Sequence, residues 1–554
     1  MSKISAEYVI VGGGSAGCVL ANRLSADPAV RVVLVEAGGW DRDPFIAMPA
    51  GFIQLMRSGR YDWGYKTEPV PGLEGRSLFW PRGKVVGGSS SINGMIYVRG
   101  HPSDYDGWAQ QGNRGWSYEE CLPYFRKSER WVGGGNDVHG GDGELNTSRQ
   151  PPVHPVARAF VAAAVEAGHP ANPDMNSGDQ RGFGPCDSTI GGARRSSAAA
   201  AFLHPVKDRK NLTVLTRTLA TRVLLEKERA VGIECLSGGK PLRILADGEI
   251  ILAGGTINSP QLLQLSGIGP ADRLRRAGVE PLHDLPGVGE NLQDHLVATV
   301  KQGTRGARML SAEVAWWRAA MSLGRYALLR SGPAAHHGIQ VLGFADSRLG
   351  LAAPDIQYHL LLLMYDNHGR SIDGAEGFMP YFNLSRPQSR GRIFVRSADP
   401  TAAPAIQPNY LQEGEDVRVM REGLKIARDI IARPALDAYR SHEFAPGADI
   451  AGDAEIDRYV RRTAESVYHP VGTCKMGSDS FSVVDDRLRV RGIDRLRVID
   501  ASIMPTISSG NTNAPTIMIA ERGASFVLER HEGRRSGAGP TRRDDRQSSV
   551  RTSD

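Results

Sequence analysis

Residues 8–11 (YVIV) form a short, unbroken apolar run, and residues 31–36 (RVVLVE) form a second. Between them the turn GGGSAG at 12–17 leads into residues 18–24, where apolar side chains recur at helical spacing. Two continuous apolar runs flanking such a helix predict a βαβ unit with strands buried on both faces, the opening of a doubly wound sheet. Residues 40–80 read as irregular, 81–100 as a glycine- and serine-rich stretch, 115–130 as a helix and 131–155 as a loop. Strand-like runs follow at 213–215, 222–225, 230–233 and 249–252. A helix is predicted from Ser259 to Leu265, with Ser259 as N-cap and Pro260 in the first helical position.

The pattern changes over residues 300–465. Runs at 356–362 and 391–395 read as strands of another sheet, and 417–431 as a helix. At 496–500 the buried-strand pattern returns, followed by a helix after Pro515. The expected fold class is therefore α/β (α+β overall): a Rossmann-like nucleotide-binding domain plus a mixed-sheet substrate domain. The first is discontinuous, from residues 1–150, 205–300 and 465–532; the second takes 151–204 and 301–464. Residues 533–554, rich in Gly, Ser, Arg and Asp, read as a disordered tail.

Composition narrows the chemistry. Of 554 residues, 41% are hydrophobic and 23% charged, an ordinary globular balance for a chain able to bury a large core. The net charge of +6 is small, and no basic stripe interleaved with aromatics exists, which argues against nucleic acid as a partner. Five scattered cysteines without a CxxC pair suit a reducing compartment. His336, His337 and His359 lack a carboxylate or thiol to complete a metal set. No signal peptide and no apolar run of about 18 residues is visible, so the expected location is cytoplasmic. Residues 315–329, with two Trp and several Arg, read either as an amphipathic helix near a pocket mouth or as a docking surface for a membrane or quinone.

Three stretches carry chemistry. Gly12, Gly14 and Gly17 fit the dinucleotide-binding turn, and Glu36 stands about 20 residues on, placed for ribose hydroxyls and against a 2′-phosphate. The loop 81–95 (PRGKVVGGSSSINGM) offers bare backbone to a planar, polar ring. Its Ser89–Ser91 run is not a nucleophile elbow, since no G-x-S-x-G is present there. The third stretch is 255–269 (GTINSPQLLQLSGIG).

With residues 286–295 (PGVGENLQDH), 467–473 (VYHPVGT), 500–505 and 510–515, these motifs resemble, in order, the glucose–methanol–choline (GMC) oxidoreductases. The likeness is greatest to bacterial alcohol, choline and polyethylene glycol dehydrogenase-like members. It implies FAD as prosthetic group, with contacts at Gly12, Gly14, Ser15, Ala16, Glu36, Ala37, Val86, Asn93, Gly94, Met95, Ile96, Val223, Ala253, Asp500 and Ala501. Some members attach the flavin through a His; Ile92 stands at that position here, so non-covalent FAD is expected. The resemblance also implies oxidation of an alcohol to an aldehyde or ketone by hydride transfer to flavin N5. His469 would be the base and Asn513 its partner, donating to the alkoxide. Tyr468 either lines the substrate side or belongs to the core. An electron acceptor other than oxygen is expected; an oxidase making hydrogen peroxide, a non-redox lyase and a flavin-free binding protein are the alternatives. No site for a cationic substrate can be read from the sequence.

Overall fold

The computed structural model describes residues 3–314, 316–372 and 374–535; residue 315 and most of the expected tail, 536–554, lie outside the described residues. Strand Lys3–Val11 lies between Val32–Val35 and Lys240–Leu252, all parallel, with Leu212–Leu215 beyond Val32–Val35. Val9 faces Val33 on one side and Ile250 on the other, and Val9 and Ile10 are fully buried, which is why these strands read as continuous apolar runs.

Lys240–Leu252 changes partner along its length. Its first half pairs antiparallel with Arg229–Ser237, and its last residues pair parallel with Leu496–Val498. The chain thus returns nearly 250 residues later to complete the seven-stranded sheet. Helices Ser15–Leu24 and Asn513–Arg535 pack on this sheet. The second helix runs past residue 533, where the sequence pattern placed the start of the tail.

The second sheet has ten strands, antiparallel except between Glu129–Trp131 and Leu145–Gln150. Its centre is Ile339–Ala345, Ile356–Leu361 and Gly377–Leu384, covered by helix Gly414–Ile431. Gly423 makes that contact close: a Cβ there would sit 2.5 Å from the Phe382 ring, and its carbonyl accepts from Tyr358 Oη at 2.9 Å. Leu145–Gln150 falls in the stretch expected to be loop, and it joins this second sheet rather than the first. Leu296–Thr299 and Glu465–Ser466 also pair here. These pairings are long-range, and short polar strands such as LNTSRQ carry little periodicity to announce them.

The helix expected from Ser259 begins at Gly255. Pro260 is inside it and lacks the N–H that would bond the Thr256 carbonyl; the Thr473 hydroxyl donates to that carbonyl instead, at 2.6 Å. A tertiary contact thus lets the helix start a turn early.

Candidate active site

A cavity of about 780 Å³ runs between the two sheets. Of the residues expected to hold the cofactor, all but Val86 and Val223 line it. Val86 and Val223 are buried behind the wall, and their N–H groups donate to Gly39 O and Ser266 Oγ.

One end is built from backbone. Gly12 has φ +107°, and a Cβ there would lie 2.4 Å from Ala253 O; a Cβ on Gly17 would lie 1.8 Å from Gly12 O. Gly88 packs on Gly14, so the loop 81–95 rests directly on the 12–17 turn. Helices Ser15–Leu24, Gly255–Leu265 and Asn513–Arg535 all begin on the cavity wall. Their first-turn N–H groups have no intrahelical acceptor, and their positive dipole ends favour an anion. Glu36 is buried, which pushes its carboxyl up to about 7 despite hydrogen bonds from Gly13 N (2.8 Å) and Gly38 N (2.7 Å). A narrow glycine cradle, three helix N-termini and a buried ribose-type acceptor fit a dinucleotide diphosphate. Asp500 locks the assembly, accepting from Gly255 N, Ser259 Oγ, Ser502 N and Ser502 Oγ. Asn93 accepts from Met95 N and from buried Arg195, leaving its amide N–H₂ uncommitted beside the cavity.

The other end is built from side chains around His469. Its backbone N–H donates to Asp294 Oδ1 at 2.7 Å, and its Nδ1 lies 3.1 Å from His295 Nδ1. His295 Nε2 is 3.0 Å from Ser385 O. That carbonyl can only accept, so His295 carries its proton on Nε2. Burial pushes His295 down to about 4, so it is neutral near pH 7 and its Nδ1 is a bare acceptor. His469 must then hold its proton on Nδ1. Its Nε2 is bare, on the side of Asn511, whose Nδ2 is 3.0 Å away. Burial, reinforced by His295, His359 and Arg82, holds the His469 imidazolium well below the ordinary range. The ring is therefore a neutral imidazole at physiological pH, with an unprotonated Nε2 able to accept a proton.

Here the structure corrects the expectation for Asn513. That residue lines the cavity, but it opens the last helix and its Oδ1 accepts from Ser15 Oγ at 2.8 Å. Asn511, two residues earlier and outside the helix, meets His469. Asp294 and His295 were visible as the D-H of the 286–295 motif, but nothing in the sequence assigned them a role. Asp294 is pushed up to about 6 by burial, and its carboxyl accepts from His469 N, Ser466 Oγ and Tyr410 Oη.

Two family models, each described as GMC oxidoreductase, match residues 6–297 and 387–520. The chain belongs to the GMC oxidoreductase family. It is similar to "Oxygen-dependent choline dehydrogenase" of Photobacterium profundum, 45% identical over 94% of this chain and 93% of that protein. It is also similar to "Choline dehydrogenase, mitochondrial" of Homo sapiens, 47% identical over 94% of this chain and 89% of that one. Among solved structures, pyridoxine 4-oxidase from Mesorbium loti superposes with a TM-score of 0.86 at 35% identity, over 95% of this chain and 99% of the other. GMC oxidoreductases are FAD-binding flavoproteins, as the backbone-built end of the cavity suits.

In this GMC oxidoreductase, Tyr468 lines the cavity at φ +68°, a strained value for an aromatic residue. Three bonds hold it there: Arg82 donates to its carbonyl, its N–H donates to Ser466 Oγ, and its hydroxyl hydrogen-bonds His368 Nδ1 at 2.6 Å. Tyr365, Tyr381 and Trp63 are further aromatic members of the wall, and Glu465 acts electrostatically on all three tyrosines. Helix Trp316–Leu329 stands at the cavity edge: Ala319, Ser322 and Leu323 line the cavity, while Trp317, Met321, Leu328 and Leu329 are exposed.

Proposed function

We propose that this flavoenzyme oxidises a choline-like alcohol, one bearing a quaternary ammonium group, to its aldehyde. The observation that carries the reaction is the bare Nε2 of His469 beside the Asn511 amide. An alcohol donates hydride poorly and its alkoxide donates well, so His469 Nε2 takes the hydroxyl proton and keeps its other proton on Nδ1, hydrogen-bonded to His295. Asn511 N–H donates to the oxygen as negative charge develops there. When bound, FAD supplies the acceptor for the α-carbon hydride. The start of helix Asn513–Arg535 at the cavity wall favours the negative charge that the transferred electrons bring.

The substrate class draws on two supports. Relatives 43–47% identical over at least 94% of the chain bear the name choline dehydrogenase. The tyrosine-lined wall offers π faces to a quaternary ammonium, and Glu465 behind it, whose carboxyl burial pushes up to about 7, is a group whose ionised form a bound cation would favour. We hold FAD to be non-covalent, because the Ile92 side chain has no atom able to bond the flavin. The proposed electron acceptor is a quinone or another acceptor than oxygen, against the "Oxygen-dependent" in the name of the P. profundum relative.

One anaerobic experiment tests these points. The yellow protein is mixed with choline, with its uncharged isostere 3,3-dimethylbutan-1-ol and with simple alcohols. Choline is expected to bleach the flavin at much lower concentration than the isostere; equal potency removes the cationic substrate. Admitting air then reads the acceptor: slow reoxidation, speeded by a quinone, is expected, and fast reoxidation with peroxide makes the protein an oxidase. Acid precipitation is expected to leave FAD in the supernatant.

A further inference from the structure

The one-way hydrogen-bond chain that sets the His469 tautomer extends one residue beyond Asn511. Gln357 sits on strand Ile356–Leu361, where alternation sends Ile356, Tyr358 and Leu360 into the apolar core and turns Gln357 and His359 to the opposite face. Gln357 is fully buried, and its Nε2 donates to Asn511 Oδ1 at 3.2 Å. Its Oε1 has no protein partner, so this is the bond its carboxamide makes. His359, the other polar group on that face, is pushed down to about 3 by burial, which outweighs a side-chain hydrogen-bonding interaction with Asn511 that favours its charged form.

An asparagine amide is nearly symmetric in shape but not in chemistry. Turned by half a rotation, Asn511 would aim its carbonyl at the bare Nε2 of His469, setting two lone pairs against each other, and would present no donor to a reacting oxygen. His469 selects the correct orientation from one side, and Gln357 does so from the other. We propose that Gln357 is a positioning residue, holding the Asn511 amide with its N–H₂ group towards His469 and the reacting oxygen. The proposal rests on the alcohol-oxidising reading of the site.

Gln357→Glu tests it by polarity. Protonated, the new carboxyl donates to Asn511 Oδ1 as the amide did; ionised, it can only accept and turns Asn511 over. A buried carboxyl ionises late, so the change falls within an accessible pH range. The expected result is FAD-loaded Gln357→Glu protein with near wild-type kcat at low pH. As pH rises its kcat should fall by about 100-fold, the scale of losing one such donor, while KM moves little and the wild type stays level. Gln357→Leu should lose about tenfold at every pH. In Gln357→Glu/Asn511→Ala the two effects should overlap rather than multiply.

A Gln357→Glu profile parallel to the wild type, or multiplying effects, overturns the proposal. If no alcohol reduces the wild-type flavin, the functional reading fails instead, and nitrogen-15 NMR of imidazole-labelled protein still decides the role of Gln357. The His469 Nε2 signal, assigned with His469→Gln, should carry the shift of a hydrogen bond accepted from Asn511 in the wild type and lose that shift in Gln357→Glu at high pH, the proton staying on Nδ1 against His295. An unmoved signal overturns the proposal.

Discussion

At the dinucleotide end of the cavity, what faces inward is main chain: the 12–17 turn, the loop 81–95 laid on it and three helix starts. At the His469 end it is the side chains of His469 and Asn511, held from behind by residues 294–295 and 357. The first end needs glycine because a Cβ would strike backbone. The second needs particular donors and acceptors because one carbonyl, Ser385 O, fixes every proton that follows. A backbone cradle tolerates many side chains but no added bulk. A side-chain chain tolerates bulk better than a reversed hydrogen bond.

Substitutions at each end should therefore fail differently. His469→Gln is expected to lower the rate of flavin reduction by about 10³-fold while FAD content and melting temperature hold, read by stopped-flow absorbance. Gly17→Ala should do the reverse. With its Cβ 1.8 Å from Gly12 O, the turn must open, costing about 3 kcal/mol and most of the bound FAD, read by denaturant unfolding and the flavin-to-protein absorbance ratio. Should Gly17→Ala stay yellow and stable, the backbone-built end is more forgiving than its geometry implies.

His295→Leu sharpens the contrast, since it removes no group that touches the substrate. Losing the acceptor for His469 Nδ1–H frees the tautomer, and kcat should fall about 100-fold. The wild-type pH profile follows from the same chain. The His469 pKa lies well below its ordinary 6.5, and the base must be neutral to act. Activity is therefore expected to be level from neutral pH upward and to fall about tenfold per unit only below the depressed value.

The smallest effect lies away from both ends. Burial opposes charge on His139, but Asp174 (2.9 Å) and Glu129 (3.1 Å) outweigh it and push its pKa up to about 9. A raised folded pKa contributes stability that is full below the unfolded value, about 6.5, and lost as pH rises through 9. The melting temperature should drop by a few degrees between pH 6.5 and 9, and the drop should be smaller in His139→Gln, where buried carboxyls such as Glu36 still contribute to it.

The unequal legibility of the two ends follows from their construction. Gly12, Gly14, Gly17 and Glu36 lie within one βαβ unit, where strand, turn and helix signals are local, and the cradle could be read from them. His469 was legible from the short motif around it. Its partner was not, because N-T-N offers two identical residues. The helix start separates them: Asn513 is committed to the first turn and reaches Ser15, while Asn511 remains free to meet the imidazole. The strand LNTSRQ and the early start of helix Gly255–Leu265 escaped for a related reason, since each depends on a partner far along the chain.

By itself the sequence determined the family and the glycine turn that opens its first sheet, since short apolar runs and glycines that must lack a Cβ constrain their own neighbourhood. Only the tertiary structure decided which asparagine faces His469, which nitrogen of that ring is bare and why Gln357 is polar inside a sheet. Those facts rest on contacts between residues 42, 174 and 154 positions apart. The direction of a hydrogen bond is settled only when the strands carrying its donor and acceptor have found their register.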